Sequence, residues 1–105
     1  MYSFDEYQKF AFSTAFYPPS ASLVYPAMGL TSEAGEVAGK IKKYVRDGGK
    51  LPVDDVKKEL GDVLWYVAVL AAELNISLSD VAEANVNKLM DRSARGVLSG
   101  SGDNR

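Results

Sequence analysis

Residues 63–72 read VLWYVAVLAA, ten consecutive apolar residues in a chain of 105. The run is too short to cross a bilayer, which takes about 20 residues of helix. As a helix it is apolar on every side, a pattern that a helix on the surface of a small monomer rarely shows. It must therefore be the central helix of the fold or lie against a second subunit.

The residues around it continue a helical stripe. Leu60, Val63, Leu64, Val67, Ala71 and Leu74 recur at three- and four-residue steps, which predicts a helix over about 54–74. In SFDE, Ser3 and Glu6 form a capping-box pattern, and the helix that follows reaches about Thr14 before the prolines of YPPSAS end it. Leu30, Ala34, Val37, Ile41, Tyr44 and Val45 predict a second helix, starting between Leu23 and Ala27 and stopping near Asp47 at DGGKLP. After NISLSD a fourth helix is expected from about Leu78 to Arg92. Residues 95–105 carry glycines and little apolar content, so they read as a flexible tail that could close as a lid. No segment reads as a strand. The expectation is one all-α domain over residues 1–105, an antiparallel four-helix bundle with short connections.

Composition narrows the chemistry. Twelve Lys+Arg against fourteen Asp+Glu leave a net charge of -2, which argues against a generic nucleic-acid binder. There is no cysteine and no histidine. That excludes disulfides, thiolate or imidazole metal sites, Ser-His-Asp and Cys-His catalysis, and the Glu-x-x-His di-iron site. The opening MYSFDEYQKF carries acids where a signal peptide carries bases, so a cytoplasmic chain with no membrane partner is expected.

Two phrases then stand out: EAGE at 33–36 and ELGD at 59–62. Each places a glycine inside a helix, at about 1 kcal/mol relative to alanine. Acids three apart share a helix face. Glu33 and Glu36 share one, continued by Lys40, and Glu59 and Asp62 share another, continued by Tyr66. Both faces border the apolar stripes. The loop at 47–53 folds the two helices together, and an extended return through GKLPV can absorb an offset of roughly 8 Å between the pairs. One Glu-x-x-Glu is ordinarily a solvated face, but the doubled phrase flanking a turn points to a site. Carboxylates without His or Cys suit Mg²⁺, or Mn²⁺ in its place. Gly35 and Gly61 are expected to permit close backbone approach. Lys88 and Arg92, one turn apart on the fourth helix, are candidate phosphate ligands or plain surface residues. Trp65 and Tyr66, with Tyr7, Tyr25 and Met28, are candidate walls for a bound base, although the first two suit a core as well.

Two segments, YPAMGLTSEAGEVAGKIKK and KELGDVLWYVAVLAAELNISLSDVAEANVNKLMDR, together resemble the MazG-like all-α nucleoside triphosphate pyrophosphohydrolases. The resemblance covers nearly the whole chain from Tyr25 onward, and the ending RGVLSGSGDNR resembles that of small, often phage-encoded members. It implies hydrolysis of a (deoxy)nucleoside triphosphate to monophosphate and pyrophosphate. It implies two or more Mg²⁺ ions held by Glu33, Glu36, Glu59 and Asp62, with Glu33 or Glu36 orienting or deprotonating the attacking water. It also implies substrate contacts from Asn85 and Lys88, and a homodimer or homotetramer. Phosphoryl transfer fits these residues, since it rests on positioning and charge neutralisation and needs no covalent nucleophile. The chain has no Gly-x-x-x-x-Gly-Lys phosphate loop. A non-catalytic helical oligomerisation module would also account for the bundle, but not for the paired acids.

Overall fold

The computed structural model describes residues 1–105. It contains four α-helices and no strand: α1 (Phe4–Ser13), α2 (Val24–Asp47), α3 (Val53–Glu73) and α4 (Leu78–Ala94), with a 3-10 turn at Pro19–Ala21. The capping box forms as the sequence predicts. Ser3 Oγ accepts the Glu6 N–H at 3.1 Å, and the Glu6 carboxylate accepts the Ser3 N–H at 3.0 Å. At the other end of the α2 stripe, Gly48 and Gly49 take left-handed φ values of 73° and 88°, which an L side chain resists. The chain reverses there, and α3 returns along α2.

α3 is the central helix. It packs against α1, α2 and α4, and its Ala68 and Val69 are fully buried with Ala11 and Leu78. Trp65 packs against this cluster, and its Nε1–H donates to Thr14 Oγ1 on α1 at 2.9 Å. Close approach of α2 and α3 depends on a different glycine from the two expected. A Cβ at Gly29 would fall inside the Tyr66 ring, whereas Gly35 and Gly61 face open space. Gly29→Ala should therefore lower the melting temperature by the equivalent of about 1–3 kcal/mol of overpacking. Gly35→Ala should leave it unchanged or raise it through helix propensity. Equal thermal shifts in the two variants would contradict this packing.

The turn from α3 into α4 is a built corner. Gln8 on α1 is buried there. Its Nε2 donates to the carbonyls of Ala68 (3.1 Å) and Ile76 (3.0 Å), and its Oε1 accepts the Leu78 N–H at 3.0 Å. Asp5 accepts the Ser79 N–H at 3.1 Å, and Ser77 Oγ accepts the Asp80 N–H at 3.0 Å. The first three free N–H groups of α4 thus all have fixed partners, which sets the helix direction. α4 leaves α3 at a bend of 102°, and its first residue, Leu78, is buried in the core cluster.

One consequence is an open chain. The radius of gyration is 16.4 Å, against about 13 Å for a folded domain of 100 residues. The accessible surface is 7701 Å², about 1,900 Å² more than a compact monomer of this mass exposes. Large apolar side chains account for much of it, including Val45, Val53 and Leu60 on the α2–α3 hairpin and Val86 and Met90 on α4. No single helix is long and apolar enough to cross a membrane.

Candidate active site

The two acid phrases meet where α2 and α3 run side by side. Carboxylate oxygens of Glu33, Glu59 and Asp62 all lie within 4.8 Å of one another. The return after Gly48–Gly49 is turned where an extended one was expected, with the Val53 N–H donating to the Leu51 carbonyl at 2.9 Å, and it is Glu33 that lies with the two α3 acids. Glu36 lies outside this triad and is exposed, yet it is near enough for its charge to act on Glu33. The Glu33 carboxyl is held above the ordinary carboxylate range, first by its partial burial and then by Asp62, by a hydrogen bond and charge from Glu59, and by Glu36. Like charges this close raise one another's proton affinity unless a cation joins them. The donor set is oxygen only, three carboxylates at ligating separation, which fits a hard divalent ion.

Two neighbouring aromatic residues take different sides. Tyr66 sits against Gly29 beside the acids, and its phenol is pushed up by burial, by Tyr25, and by Glu33 and Asp62. Tyr7 on α1 also approaches the cluster, its phenol raised by burial and by Asp62. Trp65 points instead to α1, meeting Tyr66 edge-on with ring centroids 4.9 Å apart. Sequence reasoning passed over Tyr17, which stacks on Tyr25 at 5.2 Å and donates its OH to Glu73 at 2.6 Å. Burial and that carboxylate push the Tyr17 phenol up to about 12. Nothing in its local sequence marks it, because its partners are more than fifty residues away for Glu73 and across a proline turn for Tyr25.

The remaining candidates are dispersed. Lys40 is half-buried on α2 and forms no ion pair. Asn85 and Lys88 line an open groove on α4 with Asp80, and Arg92 is buried at the far end of the same helix. Asp62 lies 11 residues before the end of α3 and Lys88 10 residues after the start of α4. With the 102° bend this puts roughly 20 Å between them within one chain.

A family profile described as the MazG nucleotide pyrophosphohydrolase domain matches residues 26–97, which span both acid phrases, the corner and α4. The chain belongs to the MazG family. The MazG domain thus covers every acid of the triad, and the family is one of hydrolases acting on nucleotide phosphoanhydrides. A relative from Mycobacterium phage L5, described as "Gene 37 protein", is 49% identical over 111 residues, covering 96% of this MazG chain and 97% of its own length. No solved structure matches the chain.

Proposed function

We propose that this MazG protein is a Mg²⁺-dependent nucleoside triphosphate pyrophosphohydrolase that converts a (deoxy)nucleoside triphosphate to the monophosphate and pyrophosphate. The observation that carries the reading is the convergence of Glu33, Glu59 and Asp62 within 4.8 Å on a MazG scaffold. These three carboxylates would hold Mg²⁺, with Mn²⁺ as its substitute. When bound, such ions neutralise phosphate charge and polarise the phosphorus under attack.

The chain's own residues divide the remaining work. Glu36, outside the triad and open to solvent, accepts a proton from the attacking water. The water oxygen bonds to the α-phosphorus, the bond from that phosphorus to the α–β bridging oxygen breaks, and pyrophosphate leaves. Lys40, one turn beyond Glu36, supplies positive charge to the phosphates. Tyr66 and Tyr25 form a wall for the nucleoside, while Trp65 steadies Tyr66 from the core side. Asn85, Lys88 and Arg92 are too distant to serve the acids of their own chain, so they act on the site of a neighbouring copy in a homodimer or homotetramer. A substrate of this kind belongs to the cytoplasmic nucleotide pool, and a net charge of -2 is not that of a generic nucleic-acid binder.

The deciding experiment incubates the protein with canonical and modified triphosphates in Mg²⁺ and separates the products. Monophosphate with pyrophosphate is expected, and EDTA should stop the reaction. Diphosphate with orthophosphate, or turnover that survives EDTA, would overturn the assignment.

A further inference from the structure

The C-terminal residues make a set of contacts that catalysis at the acid triad does not use. Glycines 96, 100 and 102 take φ values of 71°, 130° and 86°, and the chain folds back along the end of α4. Arg105 holds this turn together from inside, donating to the carbonyls of Val97 (3.1 Å), Leu98 (2.7 Å) and Gly102 (2.6 Å). The folded segment then covers Arg92 and reaches Lys88, which stays partly exposed. Arg92 donates to the carbonyls of Gly102 and Asp103, and its side chain is only 5% exposed. The Asp103 carboxylate lies 3.2 Å from Lys88 Nζ and 3.5 Å from the Arg92 guanidinium. It is itself 83% exposed.

A carboxylate seated between a lysine and an arginine one turn apart occupies the place that a phosphoryl group would take. Its exposure makes the seat exchangeable, because ion pairs open to water are weak and yield to a more highly charged competitor. The carboxyl of Asp103 is held below its ordinary range chiefly by the hydrogen bond and charge of Lys88, and then by Arg92. It therefore stays ionised and in competition throughout the neutral range.

We propose that Asp103 is a built-in counter-anion for a polyphosphate-binding site formed by Lys88 and Arg92, and that a phosphate chain binds there by displacing the tail. This rests on the reading of Lys88 and Arg92 as phosphate ligands, but not on hydrolysis. The tail then sets the threshold for loading: a ligand with several phosphoryl charges displaces it, and one with a single charge does not.

The test is binding without turnover. Inorganic pyrophosphate is titrated in EDTA into the full chain, its Asp103→Asn variant and its Lys88→Gln variant. Calorimetry gives the affinity, and amide NMR of residues 97–105 follows the tail. Asp103→Asn should bind about two- to fivefold more tightly, the range expected when a solvent-exposed competitor is removed. In the unaltered chain, pyrophosphate should shift the tail amides towards those of a mobile segment, and Lys88→Gln should weaken binding. A deoxynucleoside triphosphate titrated in parallel separates the two sources of the phosphate chain. Equal tightening by Asp103→Asn for both ligands points to the phosphates alone, and tightening for pyrophosphate only makes the free product the ligand. Unchanged or weaker pyrophosphate binding in Asp103→Asn would overturn the proposal, as would binding that leaves the tail amides unmoved. Because no metal is present, loss of hydrolytic activity for any other reason leaves these outcomes intact.

Discussion

Glu59→Gln lowers Mg²⁺-dependent turnover by roughly 10²–10³-fold or more, the scale on which enzymes lose rate when a group stabilising transition-state charge is removed. Glu36→Gln should fall as far if it receives the water's proton. The two variants differ in a second measurement. Glu33 is held above its ordinary value of 4.5 by burial and by its acidic neighbours. A group raised in this way contributes stability below 4.5, and that contribution is lost as pH rises through its folded value. Ionising Glu33 beside its acidic neighbours therefore works against the fold as pH rises in EDTA. Replacing Glu59 by Gln keeps the shape and removes one charge, so its metal-free melting temperature should equal or exceed that of the unaltered chain. The rise in melting temperature on adding Mg²⁺, which reports ligand binding to the native state, should largely vanish in Glu59→Gln. It should persist in Glu36→Gln, because Glu36 stands outside the triad. Full activity in Glu59→Gln would sink the metal-site reading, and full activity in Glu36→Gln would remove Glu36 as the group that takes the water's proton. Inactivity with a collapsed melting temperature would show only a damaged fold.

Local chemistry made much of this molecule readable in advance. Helix ends are set by nearby residues such as the Ser3–Glu6 box, Gly48–Gly49 and Ser77, so the four helices fall within a residue or two of the expected limits. The acid phrases were legible for the same reason, since three-residue spacing on two helices joined by a tight turn leaves few ways to point. What could not be read depends on partners distant in sequence. The direction of α4 is set by Gln8, whose acceptors and donor lie sixty or more residues away. Gly29 matters because of Tyr66 on another helix, and Gly35 and Gly61, conspicuous in their motifs, meet nothing. Trp65 and Tyr66 are adjacent and looked equivalent, but neighbours on a helix point about 100° apart. One was therefore committed to the core and the other to the site. The tail's glycines suggested a flexible segment, while its attachment to Arg92 could not be inferred from composition.

The chain is expected to sediment as a dimer or tetramer at micromolar concentration, with no stable 11.4 kDa species. The surface in excess of a compact monomer, about 1,900 Å², is what one partner of an obligate homodimer buries. Two of its apolar faces are the outer side of the α2–α3 hairpin and α4, which the Gln8 corner holds rigidly away from its own α3. Met90→Asp puts a charge in the middle of the α4 face, at a residue 65% exposed in the single chain. If that face is covered by a second copy, the variant should dissociate to monomers and lose activity, although Met90 lies far from the acid triad of its own chain. A sedimentation profile unchanged by Met90→Asp would show that α4 is not at the interface. Complementation then tests whether α4 serves the neighbouring site. Glu59→Gln and Lys88→Gln each inactivate their own oligomer, the first through the metal site and the second through the phosphate contact. When subunits are exchanged at random, a mixed pair has one site with intact acids from one copy and an intact α4 from the other. About a quarter of all sites should recover. If Lys88 served the acids of its own chain, mixing would restore nothing.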